Sequence, residues 1–107
     1  MKFEELKFED IDTSWSDGTK GNGIQAWVDL PNGIKASVVK HSFSLGYHEG
    51  LYEMAAFHKG HIIIIKEWDD GVKGNLDEKG VEKELDTLSL ASDFNYTGHE
   101  RRFVHGL

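Results

Sequence analysis

Residues 61–68 read HIIIIKEW and place four isoleucines, Ile62 to Ile65, in a row within a chain that is otherwise acidic. Strand side chains alternate between faces, so Ile62 and Ile64 point one way while Ile63 and Ile65 point the other. Such a strand has to be covered on both sides. What a chain of this length has to cover it with is the question that decides the architecture.

Working outward, the stretch 51–68 supplies two strands, Leu51 to Phe57 and Ile62 to Trp68, joined at His58, Lys59 and Gly60 by a short turn. Further upstream, 29–35 reads DLPNGIK. Asn32-Gly33 tolerates positive φ at both central positions of a two-residue type I′ turn, which predicts a hairpin with arms Ile24 to Leu30 and Ile34 to Phe43. In that register Trp27 faces Val38. Residues 6–11, LKFEDI, alternate as a fifth strand, although Phe3 and Leu6 also suit one helical turn. Residues 12–23, DTSWSDGTKGNG, read as a polar, Gly-rich loop.

Downstream the period changes. Residues 69–75, DDGVKGN, carry turn chemistry, and Val81, Leu85 and Leu88 then fall on one stripe of a helix. Asp77 is placed to cap that helix, Glu78 to meet the positive end of its dipole, and Leu76 with Val81 to form a hydrophobic staple. Gly80 and the off-stripe Leu90 limit it to three or so turns. The expected fold is α+β: an antiparallel β-meander of four to five strands with one short C-terminal helix packed on one face, in a single domain spanning 1–107. Residues 93–107 form an aromatic-containing C-terminal extension. Since one helix cannot lie on both sides of the isoleucines, the second face calls for a two-fold homodimer, or else for Phe94, Tyr96 and Phe103 folding back over it.

Composition bounds the function. A chain of 107 residues buries roughly two-thirds of its unfolded surface, enough for one core. There is no cysteine, which excludes disulfides, thiolate metal sites and cysteine nucleophiles. The first ten residues, MKFEELKFED, lack the apolar stretch of a signal peptide, and no apolar run approaches the ~20 residues of a membrane span. These features predict a cytoplasmic protein without a membrane partner. A net charge of −7 argues against nucleic-acid partners, the one locally basic stretch being His99, Glu100, Arg101 and Arg102. Acids occur as scattered pairs such as Glu4 with Glu5 and Asp77 with Glu78, which fits a solvated surface better than the dense rows of a nucleic-acid mimic.

Little in the sequence points to catalysis. The six histidines show neither HxH nor HExxH spacing, so no metal is expected, and the glycines of 17–23 lack both phosphate-binding patterns. No cofactor is implied. The most suggestive cluster is GYHEG, residues 46–50, where Tyr47, His48 and Glu49 are framed by glycines and could share protons or bind a ligand.

Around that cluster the chain resembles a group of small accessory proteins of tailed bacteriophages and prophages, which carry a GxEGLYE-type stretch followed by a strand and an amphipathic C-terminal helix. The matching residues are Gly46, Glu49, Gly50, Leu51, Tyr52 and Glu53, then Gly74, Leu76, Asp77, Glu78, Val81 and Leu85. The resemblance implies a product made in an infected bacterial cell and brings no catalytic residues with it. Two functions follow as expectations: a non-enzymatic, phage-type accessory factor that binds a bacterial protein, or a small enzyme or ligand-binding domain centred on Tyr47, His48 and Glu49.

Overall fold

The computed structural model describes residues 1–14, 20–41, 44, 46–65, 67–68, 71–92 and 94–96. Trp15, Phe103 and the basic stretch 99–102 lie outside them. The order is a 3₁₀ turn Phe3–Glu5, β1 Glu9–Ser14, β2 Lys20–Asp29, β3 Lys35–His41, a 3₁₀ turn Tyr47–Glu49, β4 Tyr52–His58, β5 His61–Ile65, β6 Val72–Leu76, α1 Glu78–Leu90 and β7 Phe94–Tyr96. The fold is α+β, as expected. Among the described residues, seven antiparallel strands form one sheet in the order β1-β2-β3-β4-β5-β7, with β6 paired to β4 and the single helix packed across one face. No helix among the described residues is long and apolar enough to cross a membrane.

Both alternatives for residues 3–11 occur in succession: Phe3–Glu5 makes a single 3₁₀ turn, and the strand starts at Glu9. Pairing runs from Glu9 with Gln25 to Ser14 with Lys20, so strand extends into what reads as loop at 12–23. Aromatic contact anchors the first turn. Phe3, Phe8 and Tyr52 pack with ring centroids 5.2 to 5.6 Å apart, and the Phe3 amide donates to Glu82 Oε2 of α1 at 2.6 Å.

The β2–β3 hairpin corrects the expected register by one residue. Its loop has three residues, closed by Leu30 N–H donating to Ile34 O at 2.9 Å and Gly33 N–H donating to Leu30 O at 3.1 Å. Pro31 supplies the fixed φ that suits the first central position of a type I turn, Asn32 follows, and Gly33 alone takes the left-handed conformation at φ 88°. Trp27 therefore faces Ser37, and Val38 faces Ala26. Because a one-residue slip moves every side chain to the opposite face, Ala26, Val28 and Leu30 enter the core while Trp27 is turned to the other side.

The β4–β5 turn is the true type I′. Lys59 (φ 52°) and Gly60 (φ 81°) are its two central residues, closed by the pair His58 with His61. Beyond Phe57 with Ile62, β5 no longer pairs with β4 and instead takes β7 as its neighbour. The vacated edge of β4 is filled by β6, paired through Tyr52 with Leu76 and Ala55 with Val72. Residues 72–75, read as turn from their composition, are thus strand. Unmade ladder bonds on β4 cost more than the poor strand propensity of Gly74 and Asn75, and a register shift next to Asn75, at φ 58°, absorbs the misfit.

The helix forms as its sequence dictates. Asp77 is extended and its side chain accepts from Gly80 N–H at 2.7 Å, while Val81, Leu85 and Leu88 are fully buried against the sheet. Ile63 and Ile65 belong to that helix-side core; Ile62 packs on the second face with Ala55, Phe57 and Val72. Ile62 keeps only 5% of its surface exposed within one chain, whereas Ile64 is half-buried. Of the C-terminal aromatics, Phe94 does not fold over the second face; Phe103 lies outside the described residues. Phe94 stands opposite Ile65 and packs against the helix-side core, because β7 extends the sheet edge to edge instead of lying across it.

Candidate functional site

Tyr47, His48 and Glu49 form one 3₁₀ turn bracketed by Gly46 (φ 85°) and Gly50 (φ 75°). The turn is held by its own backbone, with Gly50 N–H donating to Tyr47 O and Leu51 N–H to Gly46 O, both at 2.9 Å. Tyr47 is half-buried, whereas His48 and Glu49 are exposed; the Tyr47 and His48 rings meet edge-on at 5.5 Å. Gly46 is pressed against β6, since a Cβ there would lie 2.9 Å from Asn75 Oδ1. The geometry is that of a connector which turns the chain from Ser44 into β4.

The described histidines do not converge on one site. His41 is buried beneath the end of β3, where desolvation pushes its imidazole below the usual value, and the Ser44 hydroxyl bonds both its backbone N–H and its carbonyl at 2.9 and 2.8 Å. His58 packs on the Phe94 ring at 4.9 Å, and His61 is exposed across the turn from it. Among the described residues no three histidine or acidic side chains gather where a metal ion could be held.

A different surface stands out, at the end of the second sheet face nearest the β2–β3 and β4–β5 turns. The register lays Asp29, Lys35, Phe57 and Ile62 in one row across four strands, with Trp27, Ser37, Ala55 and Val72 in the next. Burial is uneven along this face. Val39 and Ala55 are fully buried and Glu53 is 6% exposed, yet Trp27 keeps 38% of its surface. Its indole meets the Phe57 ring edge-on at 5.3 Å, and Lys35 Nζ lies 5.3 Å from its centroid, a cation–π arrangement.

Trp27 is also the ridge between two open clefts. One, of about 290 Å³, is lined by Trp27, Asp29, Gly33, Lys35, Phe57, Lys59 and Gly60. The other, of about 190 Å³, is lined by Trp27, Val28 and Asp29 together with Met1, Glu5, Leu6 and Lys7. Met1, 49% exposed, adds a second apolar side chain to the same end of the molecule. The arrangement sets an exposed aromatic side chain on a strand, flanked by ammonium groups and by the carboxylates of Glu5 and Asp29.

The sequence signal for Trp27 was its phase. It alternates with Ala26 and Val28, and once Pro31 fixes a three-residue loop, Trp27 must leave the core face. Comparison with known protein families, with curated proteins and with solved structures finds no match.

Proposed function

We propose that the protein is a non-enzymatic binding protein that docks another protein through the surface around Trp27. The observation carrying this reading is the 38% exposure of a tryptophan on β2, just past the end of its pairing with β1, between two clefts. Tryptophan is enriched at the anchoring points of interfaces because it brings a large apolar area with few rotamers to freeze. Covering the remaining exposed indole, roughly 90 Å² if a tryptophan offers about 250 Å², is worth about 2 kcal/mol. The resemblance of residues 46–53 to phage accessory proteins supplies the expectation that the partner is a bacterial protein met in the cytoplasm.

The test is affinity capture from a bacterial lysate on the immobilised full chain and on Trp27→Ser, with folding of both checked by circular dichroism. A protein retained by the parent and lost from the variant supports the reading. Equal recovery on both overturns it.

A further inference from the structure

We propose that the cleft beside Trp27 seats an acidic peptide segment of the partner, one that carries an aromatic side chain between carboxylates. This inference rests on the docking reading above and names the chemistry of what docks.

Charge gives the first argument. In a chain of net charge −7, the described residues lining this cleft include two ammonium groups, Lys35 and Lys59, against one carboxylate, Asp29, which stands directly opposite Lys35 in the strand register. The cleft is thus locally cationic on an acidic molecule, and a basic segment would meet unfavourable contacts there.

The second argument is the conformation of Lys59. At φ 52° it occupies the first central position of a type I′ turn, a place for Asn, Asp or Gly, where another L-residue costs about 1–2 kcal/mol. Backbone strain of this sort is concentrated at functional positions. A lysine here gives up turn stability, and what it gains is an ammonium group at the cleft.

Shape gives the third. About 290 Å³ lies at the lower edge of the volumes that hold whole small-molecule ligands, and here one wall is the Trp27 and Phe57 rings. That suits a single planar side chain. The rim is backbone at Gly33 and Gly60, and beyond Gly33 a Cβ would meet only the His58 ring at 3.9 Å, which leaves room for an extended chain to approach. Among the described residues the lining holds no arginine and no helix N-terminus to form the multiple donor contacts that a phosphate group favours.

The probe is an acetylated, amidated heptapeptide with a central phenylalanine flanked on each side by three glutamates, titrated into the ¹⁵N-labelled full chain. We expect saturable shifts of the Trp27 indole N–H and of the Gly33 and Gly60 amides. Lys59→Asn suits the turn better than the parent and should melt no lower, yet bind about fivefold more weakly, the scale of one solvent-exposed ion pair. Peptides with alanine for phenylalanine, or lysines for glutamates, should leave these resonances in place.

Absence of shifts with the acidic peptide, equal binding of either control peptide, or undiminished binding by Lys59→Asn overturns the inference. So do concentration-dependent shifts at the same resonances without peptide, which would make a second copy of the chain the occupant. The two readings fail separately: if the peptide does not bind but capture still depends on Trp27, docking stands and its acidic chemistry falls; if capture ignores Trp27, docking itself falls.

Discussion

Replacing Asn32 separates two roles that a turn asparagine can have. Its side-chain amide donates to Leu88 O at 2.7 Å and Ala91 O at 2.9 Å, and its Oδ1 accepts from Ile34 N–H at 3.3 Å. A residue in the β2–β3 loop thus supplies donors at the C-terminus of α1, to Ala91 O and to Leu88 O, which also accepts from Ala91 N–H at 3.2 Å, and fastens helix to sheet. Both carbonyl contacts are partly or fully exposed to water. Asn32→Ala should therefore cost only about 1 kcal/mol, the low end for two hydrogen bonds that solvent can replace. Asn32→Asp is the sharper perturbation. Aspartate is as acceptable as asparagine before a turn glycine and keeps the acceptor for Ile34, but it turns two donors into acceptors facing carbonyls. It also adds a negative charge at the negative end of the helix dipole, a further 0.3–1 kcal/mol or so. If Asn32 acts as the helix cap, the order of stability is parent, then Asn32→Ala, then Asn32→Asp, with the last about 2 kcal/mol below the parent. Urea unfolding with common slopes measures the series. Hydrogen exchange at the last turn of α1 should accelerate most in Asn32→Asp. An aspartate variant as stable as the parent would show that Asn32 serves the turn alone and that its bonds to the helix contribute nothing.

Other consequences are equally direct. Gly33→Val forces a β-branched residue to φ 88° in otherwise open space, so thermal unfolding should register a loss of about 1–2 kcal/mol from strain alone. Leu85→Ala removes a fully buried side chain from the helix-side core and should cost about 3–5 kcal/mol by chemical denaturation. His41, held below its ordinary value of 6.5 by burial, binds fewer protons folded than unfolded. Its contribution is therefore complete at higher pH and is lost as pH falls through 6.5 towards the lowered folded value. Urea midpoints of the parent and of His41→Gln, followed from pH 8 to pH 5, should converge as the solution is acidified; a constant gap would refute this. His48→Ala, at an exposed turn position, should leave the melting temperature unchanged, and a loss of several degrees would reveal a structural role.

Where the sequence was legible, one local signal sufficed. Asp77, Glu78 and the stripe Val81, Leu85, Leu88 define α1 without reference to anything distant, and the structure reproduces the cap and the buried face together. The strands were legible in kind but not in pairing, because pairing is settled between segments. Val72 to Leu76 has the composition of a turn and becomes a strand only because β5 leaves the edge of β4 beyond Phe57, which no reading of residues 72–76 by themselves could reveal. The same holds for the aromatic surface. Asn32-Gly33 and Lys59-Gly60 are both turn dipeptides; the stronger of the two signals was spent in a three-residue loop by the proline before it, and the weaker closes the type I′ turn. That exchange shifts β2 by one residue against β3, and the shift is what takes Trp27 from facing Val38, in the core, to facing Ser37 on the open side beside Lys35, Phe57 and Lys59. The local cluster at Tyr47, His48 and Glu49 drew attention because its residues are adjacent in sequence; the Trp27 surface gathers its residues from three strands and two turns, and only the register brings them together.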